Sequence, residues 1–214
     1  MKVHIVALIM AGGKGTRFGG DTEKPMAQFM GKPLIRRVIE ATKESKRIAE
    51  TYVAVTSYSP KTAQEAAEAT VKIVETDGQG YHADLQQAIQ DANLKCPVLI
   101  VSADLPLLNG EFLDEIISRY EESGKPALAV LIPEEAFIEY GVSAASPYEH
   151  EGKMYAVSGI NVIDGQRILE EQEQEVLVSS RPEAVFTVNS LEDLETAKNY
   201  LLRTKRASKR NKVE

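Results

Sequence analysis

Five of the fourteen glycines in this 214-residue chain fall between positions 12 and 20, in the run AGGKGTRFGG at 11–20. Glycine there permits positive φ and lets backbone N–H groups close on an anion, so Ala11, Gly12, Gly13, Gly15 and Thr16 read as a phosphate cradle. Lys14 and Arg17 add the countercharge that a triphosphate needs, and the planar guanidinium of Arg17 can hold two oxygens at once. The run is neither of two familiar loops. A Walker loop needs Ser or Thr after the Gly-Lys pair, whereas Gly15 follows Lys14. A dinucleotide fingerprint opens straight into a helix, and here residues 21–32 intervene. Glu23-Lys24-Pro25 lies just downstream. Proline restricts the residue before it, so Lys24 is expected to be extended and able to reach back over the loop.

Further candidates follow two later apolar runs. Asp77-Gly78-Gln79-Gly80-Tyr81 comes after the run at 71–75, and Ser102-Ala103-Asp104-Leu105-Pro106 after VLIV at 98–101. Ligands of open α/β sheets bind outside the carboxyl ends of strands, where both segments would lie. A nucleobase with two adjacent N–H donors can be held by one carboxylate that accepts both. Asp77 is the first candidate for that role and Asp84 the second, with Gly78 and Gly80 letting the base approach. A turn or helix-terminus carboxylate is the competing reading of each. Asp104 facing a triphosphate needs a cation between them, which makes it the candidate Mg²⁺ ligand. His4, His82 and His150 share no metal-ligand spacing. Cys96, before Pro97, reads as structural.

These residues require an alternating scaffold. Strands are predicted over Val3–Met10, Thr51–Thr56, Val71–Glu75, Val98–Ser102, Ala127–Ile132 and Ala156–Ile163, with a β-rich stretch over Val176–Val188. Helices are predicted from near Pro33, Pro60, Gly80 and Asn109, with Ser59 capping the second, and a last one at about 190–203. Residues 134–152 read as an irregular excursion. The alternation implies a mainly parallel sheet with helices on both faces. One domain over 1–203 and a basic, disordered tail over 204–214 complete the organisation.

The formal charge is −7, and the last twelve residues carry six basic groups and one acid, so the body is near −12. An acidic body argues against nucleic acid as the main partner. No window is apolar for long enough to span a bilayer, and the N-terminal apolar run reads as a buried strand rather than a leader. A lone cysteine cannot form an intramolecular disulfide, so a cytoplasmic location is expected.

LIMAGGKGTRFGG followed by EKP resembles the nucleotidyltransferases of the nucleotide-diphospho-sugar transferase fold, a three-layer Rossmann-like α/β architecture. Molybdenum-cofactor guanylyltransferases are close members. DGQGYHADL at 77–85, SADLPLL at 102–108, SGINVI at 158–163 and VNSLEDL at 188–194 narrow the resemblance to the archaeal guanylyltransferases acting on adenosylcobinamide phosphate in cobalamin biosynthesis. The resemblance runs over about 3–202 and matches poorly at 134–156. It implies GMP transfer from GTP with Mg²⁺, and places Gly159 and Asn161 on the acceptor side. It further implies GTP and a phosphorylated corrinoid as partners, with no nucleic acid and no membrane span, and leaves room for a homodimer. Many relatives carry a second acid where this chain has Asn189, which either orients a phosphate or precedes a helix cap made by Ser190 and Asp193. Transfer to molybdopterin or a sugar phosphate, and a non-catalytic GTP-binding regulatory domain, are the competing functions. Loss of Arg17, Lys24 or Asp104 would mark the last of these, and all three are present.

Overall fold

A computed structural model describes residues 4–13, 18, 23–143 and 147–210, with side chains to 206. Val3, Lys14, Gly15, Thr16 and Arg17 lie outside the described residues. The strands are β1 (Ile5–Met10), β2 (Gln28–Phe29), β3 (Lys32–Pro33), β4 (Ile48–Thr56), β5 (Lys72–Thr76), β6 (Pro97–Ser102), β7 (Ala127–Pro133), β8 (Pro147–His150), β9 (Lys153–Asp164) and β10 (Gln174–Val178). The helices are α1 (Leu34–Glu44), α2 (Pro60–Glu68), α3 (Tyr81–Asp91), α4 (Gly110–Ser123), α5 (Glu134–Tyr140), α6 (Pro182–Val185) and α7 (Leu191–Arg210).

Eight strands form one sheet in the order β10-β7-β9-β6-β1-β4-β5, with β8 on β9, while β2 and β3 pair separately. The pairs β1–β4, β1–β6, β4–β5 and β7–β10 are parallel. Strand β9 alone runs against both β6 and β7. The sheet is thus mainly parallel, as the alternation of patterns predicted. Continuous apolar runs identify its centre, since a strand covered on both faces needs no polar side: Ile5–Ile9 and Val98–Val101 are at most 2% exposed. Odd and even positions of these strands feed opposite cores. Ile5, Ile9, Leu99 and Val101 pack with α1, α2 and α4, while Val6, Leu8, Val98 and Ile100 pack with α3.

From β1 the chain runs outward to β4 and β5, then returns to β6 on the other side of β1. The strand order therefore reverses at β1, and a crevice opens at the carboxyl ends there.

Three expectations require correction. Residues 134–140 are helical rather than irregular: Glu134 and Glu135 favour the first turn, and Gly141 closes α5 in the left-handed region at φ 64°. The stretch expected to be β-rich to Val188 is strand only to Val178, because Pro182 opens the short helix α6. The basic segment from 204 does not begin at a break, since α7 continues through Arg210.

Candidate active site

The loops behind β1, β5 and β6 enclose a cleft of about 560 Å³. Gly12 and Gly13 form one wall, Thr76 and residues 78–81 another, and Ser102–Asp104 the floor near Lys24 and Asn189. Gly12 is required by packing. A Cβ on it would lie 2.5 Å from Thr56 Cγ2, and its carbonyl accepts the Thr56 hydroxyl at 2.8 Å. A Cβ on Gly13 would meet nothing within 4 Å, so its surroundings are open on the cleft side of the chain.

A cationic group and a carboxylate meet at the end of this cleft. Lys24 Nζ donates to Asp104 Oδ2 and, at 3.1 Å, to Asn189 Oδ1. The other Asp104 oxygen accepts from Ser102 Oγ at 2.6 Å. The Asp104 carbonyl accepts from Val188 N at 3.0 Å, which holds the segment carrying Asn189 against the exit of β6. The helix-cap reading of 188–193 holds. The Asn189 side chain lines the cleft, while Asp193 accepts from Asn189 N and Ser190 N at 2.9 Å and Ser190 Oγ accepts from Asp193 N at 3.1 Å. That is a capping box at the start of α7.

Lys24 is placed differently from expectation. Residues Lys24–Met26 form a 3-10 turn rather than an extended segment, closed by Met26 N donating to Glu23 O at 2.8 Å. Ser59 does not cap α2 with its side chain. Glu23 does so from another part of the chain, accepting from Lys61 N at 2.8 Å, Thr62 N at 2.7 Å and Thr62 Oγ1 at 2.6 Å. The two amides are the ones a helix N-terminus leaves unpaired. Ser59 Oγ instead donates to Thr56 O at 3.1 Å, turning the chain after β4. Glu23 therefore acts on the site as a positioning residue, because it fixes the backbone one residue before Lys24. Glu23→Ala is expected to lower stability by about 1 kcal/mol, the usual cost of a lost cap. It should also lower kcat about tenfold in a pyrophosphate-release assay while leaving the Kd for nucleotide within about twofold. A purely structural role would lower stability and leave kcat unchanged.

The two base-reading candidates separate. Asp84 is buried and lines the cleft, with Oδ1 accepting from Gln79 N at 3.1 Å. Asp77 is exposed and not part of the lining, and its amide donates to Gln87 Oε1 at 2.9 Å. Gly78 at φ 71° and Gly80 at φ 116° both use conformations that favour glycine, and a Cβ on Gly78 would sit 3.0 Å from the Tyr58 ring. Tyr58 and Tyr81 line the cleft. Partial burial, and after it the charge of Asp104, pushes the Tyr81 phenol above its ordinary value. Cys96 stands before β6, its thiol pushed up by burial and by the charges of Glu50 and Asp164, which fits a structural role.

Gly159 and Asn161 line a second cleft, of about 770 Å³, that shares Tyr81 and Ser102 with the first. Gly159 has φ 77°, and a Cβ there would come within 2.9 Å of Ser102 Cβ. Glycine thus lets β9 cross close beside the residue that holds Asp104.

Among the described residues no three His, Cys, Asp or Glu side chains converge as a metal cage. Asp104 and Asn189 nevertheless offer a carboxylate and an amide oxygen to one point, where the Lys24 ammonium now stands as a cation. Such a donor pair suits Mg²⁺, which takes one or two protein oxygens and completes its shell with phosphate and water.

The family model for the MobA-like NTP transferase domain matches residues 7–172. The chain belongs to that family. It is therefore a nucleotidyltransferase. The sequence is 32% identical to an adenosylcobinamide-phosphate guanylyltransferase of Methanocaldococcus jannaschii, over 91% of this chain and 96% of that one. It is 30% identical to a probable molybdenum cofactor guanylyltransferase of Thermococcus gammatolerans, over 89% and 97% respectively. Among solved structures, a putative glucose-1-phosphate thymidylyltransferase from Bacillus anthracis shares the fold, with a TM-score of 0.69 at 13% identity over 92% of this chain and 94% of the other. This nucleotidyltransferase has, among its described residues, no helix long and apolar enough to cross a membrane.

Proposed function

We propose that this enzyme moves GMP from GTP to adenosylcobinamide phosphate, with pyrophosphate leaving. The observation that carries the reading is the meeting of two clefts at Tyr81 and Ser102, beside Lys24 and Asp104. The likeness to the Methanocaldococcus guanylyltransferase along nearly the whole of both chains supports the acceptor.

In this mechanism an acceptor phosphate oxygen attacks the α-phosphorus in line. A phosphomonoester with a second pKa of about 6 is largely dianionic at neutral pH, so it needs no general base. The protein's task is to hold two anions together and offset the charge that develops. Backbone donors over Gly12–Gly15, with Lys14 and Arg17, would bind the β- and γ-phosphates. Lys24 would leave its resting partners for the α-phosphate, and Asp104, helped by Asn189, would hold Mg²⁺. Bound there, the ion would neutralise phosphate charge and stabilise the pyrophosphate leaving group.

The decisive assay gives the full-length protein Mg²⁺ and each of the four nucleoside triphosphates, with and without adenosylcobinamide phosphate. Pyrophosphate release is expected with GTP and only when the corrinoid is present. GTP binding without turnover would remove the proposed acceptor, and failure to bind any triphosphate would remove the donor. Base selection is tested separately by comparing Asp77→Ala with Asp84→Ala. The guanine-reading carboxylate is the one whose loss erodes the GTP-over-ATP preference by about tenfold or more, since two hydrogen bonds to guanine disappear and repulsion of adenine goes with them. If neither variant shifts that preference, no carboxylate of this segment reads the base.

A further inference from the structure

Tyr81 and Ser102 are the two residues that line both clefts, so whatever passes from one cleft to the other passes these side chains. Each carries a single hydroxyl proton. Ser102 has already committed its own, donating to Asp104 Oδ1 at 2.6 Å. The Tyr81 hydroxyl makes no hydrogen bond among the described residues, and its ring contact is with His82. An uncommitted donor therefore stands where the clefts join.

The fold fixes this side chain in place. Gly80, at φ 116°, turns the chain after β5, and its carbonyl accepts from Asp84 N at 2.9 Å to start α3. Tyr81 is the first residue of that helix, and Leu85, Ala88 and Ile89 pack the helix against Val98 and Ile100 of β6. The His82 ring stands edge-on to the Tyr81 ring, 5.5 Å away at 86°. The side chain is 46% exposed, yet its phenol is pushed above its ordinary value, first by burial and then by the charge of Asp104. The hydroxyl is thus the enclosed end of the ring, within the field of Asp104, and it keeps its proton at neutral pH.

We infer that the Tyr81 hydroxyl is a catalytic donor, giving a hydrogen bond to a non-bridging oxygen of the α-phosphate during transfer. The inference rests on the transfer reaction proposed above and adds a residue to it. In that step an acceptor phosphate oxygen bonds to the α-phosphorus, and the bond from phosphorus to the α,β-bridging oxygen breaks. Pyrophosphate leaves with the electron pair, and Tyr81 neither gains nor loses a proton. A neutral donor suits this place. A lysine here would be drawn onto Asp104, as Lys24 already is, whereas a phenol stays available to phosphate. Held at the start of a packed helix, it needs no reorganisation as charge shifts at phosphorus.

The test compares wild type with Tyr81→Phe, which keeps the ring, in the pyrophosphate-release assay with GTP and adenosylcobinamide phosphate. The variant should lose on the order of a hundredfold in kcat. Its Kd for GTP should stay within about threefold, which also shows that it is folded. Sulfur in place of one non-bridging α-oxygen is a poorer acceptor for the phenol. One diastereomer of guanosine 5′-O-(1-thiotriphosphate) should therefore lose rate, relative to GTP, about tenfold less in the variant than in wild type. Full turnover in Tyr81→Phe would overturn the inference and leave the ring as packing, and so would a sulfur effect equal in both proteins. A drop in GTP affinity that 2′,3′-dideoxy-GTP does not share would assign the hydroxyl to the ribose, again overturning it. If wild type releases no pyrophosphate, the corrinoid acceptor falls on its own, and Tyr81 is read without turnover. In protein labelled with carbon-13 at the tyrosine ζ-carbons, the Tyr81 resonance is the one missing from Tyr81→Phe. It should shift when Mg²⁺ and α,β-methylene-GTP are added and stay in place with guanosine. An unmoved resonance would remove Tyr81 from the α-phosphate.

Discussion

Lys24→Met is expected to cut kcat by about a hundredfold to a thousandfold, while the Kd for GTP rises less than about threefold. The split follows from where the ammonium rests. It bridges Asp104 and Asn189 and is 20% exposed, with Asp104 at 12%, so it rests among polar partners of its own chain. Its interaction with the nucleotide then grows as negative charge gathers at the α-phosphate, and an interaction stronger in the transition state raises kcat. A second readout needs no turnover. Removing the ammonium leaves Asp104, among the described residues, with Ser102 alone as a hydrogen-bonding side-chain partner, a carboxylate without its countercharge in a nearly closed position. Metal-free Lys24→Met should therefore lose about 1 to 3 kcal/mol of stability. It should also bind Mn²⁺ about tenfold more tightly than wild type in the absence of nucleotide, because the ion no longer displaces a resident cation. Equal losses in kcat and GTP affinity would reduce Lys24 to ground-state binding.

What the sequence made legible was local. VLIV at 98–101 reads as a central strand because every position is apolar, and each is at most 2% exposed in β6. The glycines behind β1 read as a phosphate cradle; what the structure adds is packing, since a Cβ on Gly12 would lie 2.5 Å from Thr56 Cγ2. Asp104 and Lys24 were each nominated from their own neighbourhoods. Their contact spans 80 positions, and nothing in either segment announces it. The cap of α2 escaped for the same reason. Ser59 sits in the expected place beside Pro60, but the carboxylate that satisfies Lys61 N and Thr62 N comes from Glu23, 38 and 39 positions away. Helix α5 was missed because seven residues are too few to show a period, and because Pro133 suggested a loop. Asn189 looked like a substitute for an acid or a neighbour of a cap. Its backbone joins the capping box, and its side-chain oxygen accepts from Lys24.

Asp104→Asn should separate the metal from the lysine by changing two quantities in opposite directions. Asparagine keeps the shape and can still accept from Ser102, so the local fold stays in place. It removes the only carboxylate that, among the described residues, touches Lys24. Turnover with Mg²⁺ should fall on the order of a thousandfold, the loss of about 4 kcal/mol of charge stabilisation. Mn²⁺ binding to the nucleotide-free protein should fall below detection. GTP affinity measured in EDTA should instead improve several-fold. Without a divalent ion the wild-type carboxylate holds the ammonium for itself and repels the triphosphate, whereas in the variant that cation is free to meet phosphate. The pairing of lost turnover with gained metal-free affinity is hard to produce by misfolding, which would weaken both. If Asp104→Asn binds GTP more weakly in EDTA than wild type does, the carboxylate does not face the triphosphate, and the cleft holds the nucleotide the other way round.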